Sequence, residues 1–262
     1  MQLEFFSALD TGRARSNNED AVRIDERLAL AVLADGMGGY NAGEVASAMT
    51  VDSVCEDIAR WLAEDRGPRD EEEIRQALMA SAQRANRAVF DASQSRAEYA
   101  GMGTTLVAAL FNDDRVWVGH VGDSRAYRLR GGRLEQLSRD HSLLQEQIDA
   151  GLLTPEEAVY SMNRNLVTRA VGVEPDVELE VVGHDLRSGD VVLLCSDGLS
   201  DMLPDATIAQ VMRASDSLEL TAQALIAAAN AAGGRDNISV VLVRAKGGAA
   251  QAGRAWWPFR RA

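Results

Sequence analysis

Four times in this 262-residue chain an aspartate stands at the end of a short apolar run, with glycine close by. Residues 28–34 run into Asp35-Gly36, residues 116–122 into Asp123, and residues 191–196 into Asp197-Gly198. Gly233-Gly234-Arg235-Asp236 opens onto the run 238–243. Short apolar runs rich in β-branched residues read as buried strands. A strand that arrives and a strand that leaves can present their ends at one edge of an antiparallel sheet, so all four carboxylates can meet there. Glycine beside them allows close backbone approach. Any single Asp-Gly pair reads as a turn. Four, each abutting an apolar strand, read as a site.

Converging carboxylates repel and raise each other's pKa, and a divalent cation removes that cost. A donor set made only of oxygen selects hard cations, Mg²⁺ or Mn²⁺. The three histidines, His120, His141 and His184, have no metal-pair spacing, which speaks against zinc. Upstream, the segment 10–20 places Glu19 and Asp20 where they can join the acids, and Arg15 where it can face a phosphate bidentately. Taken alone, that segment reads as a charged loop.

Other strands are expected at 3–9, 105–111, 115–121, 126–130 and 177–182, with turns at Gly131-Gly132 and at Asn112-Asp113-Asp114. Helices are expected at 44–62, 71–94 and 218–231 from their apolar spacing. Consecutive hairpin-linked strands predict antiparallel sheet, and helices must cover the outer faces, so the fold class is a layered α/β sandwich. No linker or repeat breaks residues 1–245, which read as one domain. From Lys246 a Gly/Ala-rich connector leads to a tail holding Trp256, Trp257 and Phe259 among arginines. That tail reads either as a disordered end or as a docking element for a partner or a membrane surface.

The net charge of −13 argues against nucleic acid as a partner. The longest clean apolar run, residues 28–34, is far too short to span a bilayer, and the start lacks the basic region of a signal peptide. Cys55 and Cys195 lie in apolar stretches and read as reduced thiols. The expected compartment is the cytoplasm.

Six motifs occur in the order and spacing of one family: Arg15-Ser-Asn-Asn-Glu-Asp20, Ala34-Asp-Gly-Met-Gly-Gly39, Gly101-Met-Gly-Thr-Thr-Leu106, Gly122-Asp-Ser-Arg125, Ser196-Asp-Gly-Leu199 and Arg235-Asp-Asn-Ile238. The chain resembles the metal-dependent type 2C protein serine/threonine phosphatases in their compact bacterial form, over about residues 3–244. The resemblance implies a four-layer α-β-β-α sandwich with two mostly antiparallel sheets and the metals at one edge. It implies that Asp35 bridges two Mn²⁺ or Mg²⁺ ions, that the Gly36 carbonyl binds the second, and that Asp197 and Asp236 bind the first. Glu19 and Asp20 match acids that hold metal-bound waters, Asp123 matches the residue tied to a third metal, and Arg15 matches the arginine that grips the substrate phosphate. Residues 140–164 match a flap beside the site.

Hydrolysis of phosphoserine and phosphothreonine by direct attack of a metal-bridging water follows from the resemblance. So do phosphorylated proteins as partners and a bacterial serine/threonine kinase as the opposing enzyme. Animal members carry histidine after the Asp-Gly pair as a proposed general acid. Met37 stands there in this chain and has no proton to give, which leaves the proton donor open. Three alternatives remain on the sequence: an inactive phosphoprotein-binding relative, a hydrolase of small phosphomonoesters or of phosphodiesters, and an aspartyl-nucleophile phosphatase, which Asp197-Gly198 invites although no Asp-x-Asp follows an early strand.

Overall fold

The structure is a computed structural model that describes residues 1–38, 42–64, 69–154, 157 and 166–247. Its strands are β1 (Gln2–Asp10), β2 (Asp20–Asp25), β3 (Leu30–Met37), β4 (Gly103–Thr104), β5 (Leu106–Asn112), β6 (Arg115–Val121), β7 (Arg125–Arg130), β8 (Arg133–Gln136), β9 (Glu180–Asp185), β10 (Val191–Cys195) and β11 (Ile238–Lys246). The helices are α1 (Ala42–Ala63), α2 (Glu71–Ser95), α3 (Leu143–Asp149), α4 (Asp205–Arg213) and α5 (Leu218–Ala231), with a single helical turn at Asp197–Ser200.

The strands form two sheets. One runs β1-β11-β10-β7-β8; the other runs β2-β3-β5-β6-β9, with β4 paired to β3. Every named strand pairing among the described residues is antiparallel. The continuous apolar runs are explained by burial on both faces. In β3, Leu30, Val32 and Ala34 pack under α1 and α2, while Ala31 and Leu33 point at the other sheet. In β11, Ile238, Val240 and Leu242 face the α4 and α5 side, while Val241, Val243 and Ala245 join the layer between the sheets. The result is helix, sheet, sheet, helix. Both cysteines are buried and free. No helix among the described residues is long and apolar enough to cross a membrane.

Several elements depart from the sequence reading. β2 was not expected: its stretch Asp-Ala-Val-Arg-Ile-Asp lies at a sheet edge, where only part of the strand must be apolar. β9 begins at Glu180 rather than 177, because α2 captures the residues before it: the Val177 N–H donates to Gln83 Oε1 at 3.1 Å. α3, α4 and β8 run for seven, nine and four residues, too short a window to stand out. β11 includes Lys246, one residue into the expected connector. The tail from residue 248 and most of the second half of the expected flap lie outside the described residues.

Candidate metal centre

Asp20 opens β2 directly opposite Asp35 of β3 in the antiparallel register. Asp123 sits in the connection from β6 to β7, which carries the chain from one sheet to the other. Asp197 starts the helical turn after β10, and Asp236 stands two residues before β11. Asp20 and Asp35 thus come from one sheet, Asp197 and Asp236 from the other, and all lie at one edge of the sandwich.

Backbone-to-backbone packing makes the convergence tight. A Cβ on Gly36 would sit 2.2 Å from the Gly43 carbonyl oxygen and 2.5 Å from that of Glu19, so β3, α1 and the Glu19 loop meet without side chains between them. A Cβ on Gly198 would sit 1.9 Å from the Asn237 carbonyl oxygen, which draws Asp197 and Asp236 together. The Asp35 main chain is fixed on both sides. Its N–H donates to Thr105 Oγ1 at 3.0 Å, and its carbonyl accepts from the Thr105 N–H at 2.9 Å and from Thr104 Oγ1 at 2.8 Å. Thr105 Oγ1 shares a further hydrogen bond of 2.7 Å with Ser124 Oγ, which gives Ser124 a structural task.

The electrostatics record the crowding. Burial, and then the carboxylates of Asp20, Asp197, Asp123 and Asp236, push Asp35 well above the usual range. Asp197 is raised by burial and then by Asp123, Asp201, Asp236 and Asp20. Burial pushes Asp20 up to about 6, against the lowering effect of its hydrogen bonds, and burial with Asp140 pushes Asp123 up to about 6. Asp20 Oδ2 accepts from Ser239 Oγ at 2.6 Å and from Ser196 Oγ at 2.9 Å. Asp20 Oδ1 and Asp197 Oδ1 are buried without a hydrogen-bond partner. Orphaned anionic oxygens inside a cluster of acids are what a hard divalent cation satisfies, so the residues fit Mg²⁺ or Mn²⁺.

The mouth of the site is built by the loop after β1. Arg15 Nη2 donates to Asp236 Oδ2 at 2.7 Å, with the side chain about half exposed. Asn237 is a hub that the sequence reading missed: its Oδ1 accepts from the Glu19 N–H at 2.8 Å, and its Nδ2 donates to the carbonyls of Thr11 and Asn17. Three more supports were missed. Ser196 directly follows apolar β10 and Ser239 is a polar residue within apolar β11, which was the available signal. Asp201 stands one helical turn beyond Asp197 and acts electrostatically on both Asp197 and Asp123.

The fold also joins residues that the sequence kept apart. His120, His141 and Glu180 place their ligating atoms within 4.8 Å of one another. His141 Nδ1 accepts the Gly122 N–H at 3.3 Å, so the proton of the neutral ring sits on Nε2, where a metal would need a lone pair. His120 stacks on His141, and Glu180 Oε2 stands 3.5 Å from His141 Nε2.

The sequence model of protein phosphatase 2C matches residues 12–233, a span that takes in Glu19, Asp20, Asp35, Asp123 and Asp197 and ends three residues before Asp236. The chain belongs to the protein phosphatase 2C family. This phosphatase is 38% identical over 246 residues to the serine/threonine phosphatase Stp of Listeria innocua, covering 93% of this chain and 95% of that protein. The crystal structure of the Mycobacterium tuberculosis serine/threonine phosphatase PstP superposes with a TM-score of 0.85 at 37% identity, covering 94% of this chain and 99% of that one. The catalytic domain of PstP in complex with two manganese ions aligns with a TM-score of 0.80 at 37% identity, covering 92% and 97%. The four-layer sandwich is the fold of this family, and the chain is a metal-dependent protein serine/threonine phosphatase of the bacterial type.

Proposed function

We propose that this phosphatase removes phosphate from phosphoserine and phosphothreonine of proteins at the acidic edge, using two Mn²⁺ or Mg²⁺ ions. The observation that carries the site assignment is the crowding of buried carboxylates around Asp35 and Asp197, which raise each other, together with the orphaned Asp20 Oδ1 and Asp197 Oδ1. In this reading Asp35 would serve both ions, the Gly36 carbonyl would contribute to one, and Asp197 and Asp236 would hold the other. Glu19 and Asp20 orient waters, and Asp123 serves a third, weaker site. When bound, such an ion pair acidifies a water and neutralises charge on the phosphoryl group.

The chain's own contribution is placement. Thr104 and Thr105 fix the Asp35 backbone, so its carboxylate is aimed before substrate arrives. Arg15, a planar five-donor fork, sits at the mouth beside Asp236 and orients the phosphoryl oxygens for in-line attack. Met37 supplies no proton to the departing serine or threonine oxygen. A cytoplasmic location suits the two reduced cysteines. The partners are phosphorylated proteins, with the kinase that modifies them as counterpart. Docking by the basic aromatic tail is tested by deleting residues 248–262.

The deciding assay measures phosphate release from a phosphothreonine peptide with Mn²⁺, with Mg²⁺ and with EDTA, beside Asp35→Asn. Turnover that needs metal and disappears in the variant is expected. Metal-independent turnover, or a variant with near-normal rates, overturns the assignment.

A further inference from the structure

We infer that His141 is a positioning residue that locks the Gly122–Asp123 turn against the acidic cluster; this rests on Asp123 being a metal ligand. Gly122 has φ +99, and a Cβ there would meet Thr105 at 2.7 Å, so the turn is pressed onto Thr105 from one side. From the other side a single residue takes both polar groups of Gly122. The His141 N–H donates to the Gly122 carbonyl at 2.9 Å, and His141 Nδ1 accepts the Gly122 N–H.

The residue before His141 grips the far end of the same turn. Asp140 receives Arg125 Nε on Oδ1 at 2.9 Å and Nη2 on Oδ2 at 2.6 Å. Consecutive residues 140 and 141 therefore hold positions 125 and 122, with Asp123 between. His141 is itself anchored: its carbonyl accepts from the Thr168 N–H at 2.9 Å, and the neighbouring Ser142 bridges Val167. Its ring stacks on His120, with centroids 4.8 Å apart, and His120 Nε2 is held by the Arg139 backbone.

A core histidine kept only for packing would need none of these bonds to Gly122. An imidazole that fixes the backbone beside a ligand acts on the ligand's aim, as groups outside the coordination sphere generally do. Asp123 has one neighbour, Gly122, whose place depends on Nδ1, and its carboxyl is the acid that joins the two sheets' contributions.

The test is calorimetric titration with Mn²⁺ of the wild type, Asp123→Ala, His141→Ala, His141→Gln and His141→Asn, each also melted without metal. In the wild type a weak Mn²⁺ site is expected that Asp123→Ala abolishes. His141→Ala and His141→Gln weaken that site by about tenfold and leave the tight sites unchanged. His141→Asn restores it, because Asn Oδ1 stands near the position of Nδ1 and accepts the same N–H. Gln keeps volume without that acceptor, so it decides the matter should the alanine variant fold poorly. Equal weakening of every site in step with lost stability, or failure of Asn to rescue, overturns the positioning role. Absence of an Asp123-dependent site in the wild type overturns it together with the ligand reading, while the phosphothreonine assay of the preceding subsection stands apart from either result.

Discussion

Asp20→Asn in the metal-free protein isolates the cost of the acidic cluster. Asp20 is buried, and its carboxyl has a folded pKa of about 6 against 3.8 for the ordinary group. The native state binds this proton more tightly than the unfolded chain. The cost of ionising Asp20 is therefore fully present above about pH 6 and is lost as pH falls towards 4. A difference of about two units corresponds to about 3 kcal/mol at pH 7.5, shrinking to about 1.5 kcal/mol at pH 5.

Asparagine should remove this cost without a new one. Its oxygen can accept from Ser196 and Ser239 where Oδ2 now does, and its amide can donate towards Asp35. In EDTA at pH 7.5 the variant should melt about 6–12 °C above the wild type, using about 2–4 °C per kcal/mol for a chain near this size. The advantage should halve at pH 5. Saturating Mn²⁺ should stabilise the wild type more than the variant. The readout is scanning calorimetry at the two pH values, with and without metal. A variant less stable than the wild type in EDTA, or an advantage that does not change with pH, would refute the reasoning. Taking differences between variant and wild type matters, because burial lowers the pKa of His141 and His184, and those groups lose stability as pH falls below 6.5.

Gly198→Ala should cost on the order of 1–3 kcal/mol, because its Cβ meets the Asn237 carbonyl, and thermal melting with parallel Mn²⁺ binding will show both losses together. Arg15→Ala should lower kcat/KM by about 30-fold, the worth of a charged hydrogen bond, in steady-state assays on a phosphopeptide. Asp35→Asn should keep the fold by circular dichroism while turnover falls on the order of 100-fold or more.

How much of this was legible beforehand depends on burial. β3, β6, β10 and β11 are covered on both faces, so each is written as a nearly unbroken apolar run, and the aspartate beside that run is conspicuous; β3 itself continues past Asp35 to Met37. β2 lies at an edge and mixes charge with apolar residues, so Asp20 looked like part of a loop although it stands in register with Asp35. The acids could be found because carboxylates next to glycine at strand ends are rare as a set. Their supports were harder to find: Ser239 shows only as a polar residue in an apolar strand, and Thr105 and Asn237 act by reaching across from other elements, a distance that a linear sequence does not record. Arg15 was expected to face a phosphate, and the structure pairs it with Asp236, the nearest anion. The encounter of His120, His141 and Glu180 depends on β6 lying beside β9, with Glu180 opposite His120, a pairing no spacing rule predicts.

β1 has β11 as its sheet neighbour, with Gln2 opposite Lys246 and Asp10 opposite Ile238. β1 must therefore wait for β11, more than two hundred residues later, before it can pair. Until β11 emerges, the loop bearing Arg15 has no anchor and Asp236 has no sheet to stand beside. The pairing of Arg15 with Asp236 at the mouth of the site therefore forms only once β11 has joined β1. The two ends of the domain are thus joined in a single sheet, and the acidic edge depends on both.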